Sequence, residues 1–149
     1  MIGARHLARW WALPARERWL FPLLLLMLPL VSLGLSLLGY RRMLALVERV
    51  GHRRQRHPAT TQELEAARRL AGLLAIAGRR GLPATCLRQA LLLHLLLRRR
   101  GLAPQLLLGL RREDGQPAMH AWVELDGTSF DPSPLEHAPF RPTRASDHD

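Results

Sequence analysis

The sequence predicts a small α+β domain behind an apolar helical segment, and three observations carry that prediction. Apolar residues recur at helical spacing through most of the chain up to Arg100. Beyond Pro104 the period shortens to strand-like alternation, with Asp126-Gly127 placed as a tight hairpin turn would be. The only cysteine, Cys86, stands where the turn-prone Gly81-Leu82-Pro83 opens into a leucine-rich helix.

A chain of 149 residues has room for one core. Its 48% hydrophobic and 23% charged content is that of a folding sequence rather than a disordered one. The formal net charge is +10, and all 22 basic residues are arginine. Such an excess fits nucleic acid, an anionic membrane surface or an acidic peptide. The arginines come in short scattered runs without the interleaved aromatics of a base-stacking platform, so no nucleic-acid partner is expected. One cysteine cannot form an internal disulfide; Cys86 is either a buried small hydrophobe or a reactive thiol.

Three stretches follow from the composition: an apolar and basic helical segment with its linker over 1–58, a core over 59–135 and an irregular tail over 136–149. Residues 1–18 are basic and, with Trp10, Trp11 and the following Trp19, form an amphipathic opening. From Trp19 to Tyr40 no residue is charged, a length that meets the threshold for a membrane span. Pro29 is expected to kink this run, Ser32, Gly34 and Ser36 give it a small-residue face, and arginines flank both ends. Two readings stay open here: a buried or membrane-surface helical hairpin, and a true span. No small-x-small cleavage site follows the run, which argues against a secretory signal. Met43 to Val50 completes a helix, and Gly51 to Pro58 is a basic linker. Its His52 and His57 stand five apart, off a common helix face and without a cysteine or carboxylate, so no metal is expected there.

Thr60 and Glu63 form a capping-box pattern that starts a helix near Thr61, running to about Ala77 before Gly78 and Gly81. Its core stripe is Leu64, Ala67, Leu70, Ala71, Leu74 and Ala75. The next helix is expected from Thr85 to Arg100, with Arg98, Arg99 and Arg100 facing its own negative end and Gly101 as the left-handed cap. Apolar all round from Ala90 to Leu97, it is the central helix, and His94 within it is a packed residue. Strands are expected over Gln105–Leu110, Ala118–Leu125 and Thr128–Asp131, with Arg111–Pro117 as a polar loop.

On the second strand His120, Trp122 and Glu124 share one face, while Met119, Ala121, Val123 and Leu125 face a core. A two-residue Asp126-Gly127 loop pairs Leu125 with Thr128, Glu124 with Ser129, Val123 with Phe130 and Trp122 with Asp131. Asp131 then lies diagonally beside His120, whereas Asp126 sits roughly 20 Å along the strand at about 3.3 Å per residue. Free N–H groups at a helix start stabilise a sulfur anion at Cys86 and could hold an oxyanion. Cys86, His120 and Asp131 thus make a candidate nucleophile, base and orienter. The spacing supports equally a plain packing reading, with a buried cysteine, a locally bonded histidine and a turn-capping aspartate.

The segments Thr85-Cys86-Leu87, Arg98-Arg99-Arg100-Gly101, Leu106 to Arg111 and His120-Ala121-Trp122-Val123-Glu124-Leu125-Asp126-Gly127 resemble, in order and spacing, the transglutaminase-like proteases of lasso-peptide maturation. The likeness reaches from the arginine-flanked leucine run to about Pro134. It implies a papain-like or transglutaminase-like core in which Cys86 is the nucleophile, His120 the base and Asp131 the third member. It implies removal of the leader from a ribosomally made precursor peptide, after which an ATP-dependent macrolactam cyclase closes the ring. Fused members carry a winged-helix leader-binding domain; nothing before Thr60 has the strands for one, so a split form with a separate leader-binding protein is expected. Thiol proteolysis calls for no cofactor. The expected setting is the cytoplasm, with membrane contact through 19–40. Two other functions compete: a membrane-associated, non-catalytic peptide-docking adaptor, and a transglutaminase-like amidase of another pathway.

Overall fold

The computed structural model describes residues 15–51, 57–80, 86–113, 115–130 and 137–139, and side chains within them except those of 15–18, 79–80, 111–113 and 137–139. Among the described residues three helices, α1 (Ala15–Gly51), α2 (Thr61–Arg80) and α3 (Cys86–Arg99), precede four strands: β1 (Gln105–Glu113), β2 (Gln116–Leu125), β3 (Thr128–Ser129) and β4 (His137–Pro139). The strands form one antiparallel sheet in the order β3-β2-β1-β4. The architecture is α+β, as the sequence predicts. The expected opening around Trp10 and Trp11, the linker residue His52, Thr85 and Asp131 lie outside the described residues.

Helix α1 is two arms joined at Gly39, whose backbone (φ 74°, ψ 167°) belongs to a region that only glycine enters freely. The arms fold towards each other: a Cβ placed on Gly34 would meet Met43 Sδ at 2.9 Å. In an unbroken helix residues nine apart would be separated by about 13 Å. Pro22 and Pro29 lie within the helix, so the break falls at Gly39 and not at the expected Pro29. The segment Trp19–Gly51 is long and apolar enough to cross a membrane, yet Leu24, Leu28, Val31, Met43 and Val47 are buried in the domain core.

The capping box forms as expected. Thr60 Oγ1 accepts from the Glu63 N–H at 3.3 Å, and Glu63 Oε2 accepts from the Thr60 N–H at 2.9 Å. Helix α2 then passes through Gly78 to Arg80, three residues beyond the expected end. Its Ala67, Leu70, Ala71, Leu74 and Ala75 are buried, and Leu64 packs against the same cluster. The central helix α3 buries Ala90 to His94 and Leu97 between α1, α2 and the sheet. It ends in a Schellman motif: Leu102 N–H donates to Leu97 O at 3.2 Å and Gly101 N–H to Arg98 O at 3.0 Å, with Gly101 at φ 87°.

Arg98 departs from its expected place. Its side chain leaves its own helix end, packs on Gly51 and donates to Glu48 O at 3.4 Å, so it serves the negative end of α1.

The polar stretch 111–117, expected as a loop, is largely strand. Strands β1 and β2 pair from Gln105–Glu124 to Glu113–Gln116. The hairpin outruns the core there, which is why its residues lack apolar alternation. Met119, expected on the core face, is 72% exposed for the same reason; the buried row begins at His120 and Ala121. Residues 137–139, in the tail expected to be irregular, add β4 to the free edge of β1.

Candidate active site

The site is built at the meeting of α3 and β2. Cys86 is the first residue of α3, at the helix end whose leading N–H groups have no intrahelical acceptor. The thiol is part-exposed and lies 4.0 Å from Met119 O, the carbonyl just before His120. Cys86 and His120 line one cleft of about 30 Å³, walled by Leu74, Leu93 and Phe130. That volume admits a water or two, or a small side chain.

Strand β2 supplies the second half of the site. Ala121, Val123 and Leu125 enter the hydrophobic cluster and hold the strand in register; His120 and Trp122 alternate with them and are themselves buried, at 7% and 4% exposure. The His120 and Trp122 rings stack with centroids 6.0 Å apart and 17° between planes. Trp122 Nε1 donates to Glu124 Oε1 at 3.1 Å. This bond anchors the indole that flanks His120. The sequence places these three residues on one face; that they form a tied row is visible only once the rotamers are known. In the first strand the position opposite His120 is Gly109, which has no side chain to crowd the imidazole.

The hairpin after β2 follows the expected register. Leu125 pairs with Thr128 and Glu124 with Ser129, Phe130 N–H donates to Val123 O at 2.9 Å, and Asp126 and Gly127 both have positive φ, at 49° and 79°. That is the type I′ geometry that Asp-Gly favours. The ladder is described up to Phe130, one residue short of Asp131. Asp126 is engaged elsewhere: its Oδ2 accepts from the Ala59 N–H at 2.7 Å, tying the turn to the strand of chain that leads into α2.

His94 is buried within α3. His57 remains on the surface, with Nδ1 at 3.0 Å from Pro58 O and Nε2 at 3.8 Å from Glu63. The bond to the Pro58 carbonyl, with Glu63 adding to it, raises the affinity of His57 for its proton. Among the described residues no three His, Cys, Asp or Glu side chains gather as a metal site requires.

A thiol at a helix start and an imidazole on the adjacent strand can share the work of acyl transfer. The sulfur attacks a carbonyl, and the imidazole carries the proton to the departing group. Compared with known families, the chain matches the model of the transglutaminase-like superfamily over residues 27–145. No curated protein and no solved structure matches it.

Proposed function

The chain belongs to the transglutaminase-like superfamily, and from that premise we infer that it is a cysteine peptidase that removes the leader from a ribosomally made lasso-peptide precursor. Superfamily membership covers the coarser part, since cysteine peptidases and acyltransferases are common in this superfamily. The observation that carries the finer part is the shared cleft of Cys86 and His120 in a chain whose TCL and HAWVELDG segments resemble those proteases.

In this reading Cys86 Sγ attacks the scissile carbonyl, helped by its position at the start of α3. The tetrahedral intermediate collapses to a thioester as His120 protonates the leaving amine. His120 then takes a proton from water, which attacks the thioester and frees the carboxylate and the thiol. Asp131 orients His120 in this reading: the two-residue Asp-Gly register read from the sequence would pair it with Trp122, diagonal to His120. Trp122, tied to Glu124, stacks on the ring and limits its movement. The partners are the precursor peptide, a separate leader-binding protein and a downstream ATP-dependent cyclase. The working compartment is the cytoplasm, where precursors are synthesised and thiols stay reduced.

The test is incubation of the full chain and its leader-binding partner with a candidate precursor, read by mass spectrometry. One cut between leader and core is expected, abolished by Cys86→Ala. Cleavage that survives Cys86→Ala would sink the assignment.

A further inference from the structure

The first arm of α1 has two apolar faces, and only one is used by the fold. Leu24, Leu28 and Val31, at 0%, 6% and 5% exposure, point into the core. On the opposite face Leu26, Leu30, Leu33 and Leu37 stand at 61%, 57%, 55% and 72% exposure. With Trp19 and Leu23, also exposed, these residues recur at alternating spacings of four and three along about 27 Å of helix. A monomer in water gains nothing from such a stripe.

Its surroundings identify the occupant. No charge interrupts residues 19–40, an exposed Trp19 opens the stripe and Tyr40 closes it, and the exposed Arg41 and Arg42 follow at once. An apolar face of leucines that carries an exposed tryptophan, with arginines close by, is the composition of a helix lying at a bilayer interface. Seven-residue spacing also fits a seam with a second helix. A coiled-coil seam, however, is flanked by charged pairs, and here the flanking positions include Pro22, Pro29, Gly34 and Ser36. A second copy would also bring another +10 against the first, whereas an anionic surface attracts that charge. A span is disfavoured because Leu24, Leu28 and Val31 would have to leave the core, or α2 and α3 enter the lipid with it.

We propose that the Leu26–Leu30–Leu33–Leu37 face of α1 is a membrane-docking surface, by which the domain lies in the plane of an anionic bilayer with its first arm sunk to the headgroup–acyl boundary. Arg41 and Arg42, after the turn at Gly39, engage the lipid headgroups. The inference is independent of the peptidase reading.

The experiment is co-flotation of the full chain, synthesised in the presence of preformed vesicles, with phosphatidylglycerol–phosphatidylcholine or phosphatidylcholine alone. The chain is expected to float with the anionic vesicles, to bind neutral ones about tenfold more weakly, and to be released by alkaline carbonate. Leu30→Glu/Leu33→Glu/Leu37→Glu should stay at the bottom of the gradient with an unchanged circular-dichroism melt. Arg41→Gln/Arg42→Gln, which touches no core residue, should lower binding to anionic vesicles about tenfold. Four results would overturn the proposal. They are no flotation of the wild type, undiminished flotation of both variants, retention through carbonate as a spanning helix would show, and a wild-type dimer without vesicle binding that the leucine variant makes monomeric.

Discussion

At the scale of single residues the proposed chemistry depends on which carboxylate serves His120. Asp126 spends its charge on the Ala59 N–H at 2.7 Å, so it holds the hairpin to the entry of α2 and contributes to the fold. Asp126→Asn should therefore leave turnover near that of the wild type and lower stability by about 1 kcal/mol, read as a shift in the denaturant midpoint. Asp131→Asn should instead cut kcat/KM by two orders of magnitude or more, as loss of a tautomer-fixing group does. Equal effects on turnover would place the orienter elsewhere. The hairpin register up to Phe130 was legible in the sequence, because a two-residue Asp-Gly turn leaves one register. The Trp122–Glu124 bond and the reach of Arg98 to Glu48 O were not, since both depend on rotamers and on elements brought together by packing.

At the scale of elements, caps and turns hold the site's two halves in place. The Thr60–Glu63 box starts α2, and its bonds to the Thr60 N–H and hydroxyl keep the Glu63 carboxyl below its ordinary pKa of 4.5. Because the folded value lies below the unfolded one, this stabilisation is complete above pH 4.5 and fades as pH falls through the folded value. His57 has the opposite sign. Its folded value is raised above the ordinary 6.5, so its contribution is complete below pH 6.5 and is lost as pH rises through the folded value. Thr60→Ala should cost about 1 kcal/mol near neutrality, and the gap in thermal melting from the wild type should narrow in acid without closing, since the cap bond from the Glu63 N–H is independent of the carboxyl charge. A gap that persists unchanged into acid would contradict the role given to Glu63. Gly101→Ala, forcing a side chain onto φ 87°, should cost roughly 1–2 kcal/mol by chemical denaturation. These signals are local, so four to six residues reveal them. The strand character of 111–117 and the short β4 are different: polar residues beyond the core's edge carry no apolar period, and the pairing partner of β4 lies far away in sequence.

At the scale of the whole molecule, the layered α+β fold sets one helix start against one strand and leaves a second apolar surface on the far side of α1. The apolar run is thus both core and surface, which hydropathy alone cannot separate because both faces are leucine. The break at Gly39 makes the division possible: it lets the second arm return over Gly34 and bury Met43 and Val47. Leu92→Ala, at a fully buried position of the central helix, should cost roughly 2–5 kcal/mol and disturb both arms together. A single cooperative melt, followed by far-ultraviolet circular dichroism and by tryptophan emission, checks that coupling. The pairing of Cys86 as nucleophile with His120 as its base underlies the proposed chemistry. It is tested most directly by the rate at which iodoacetamide alkylates Cys86 in the native protein at mildly acidic pH, with wild type and His120→Ala compared by mass spectrometry. The account predicts alkylation without denaturant and a rate at least tenfold lower in His120→Ala. Labelling only after denaturation, or an equal rate in the two proteins, would contradict it.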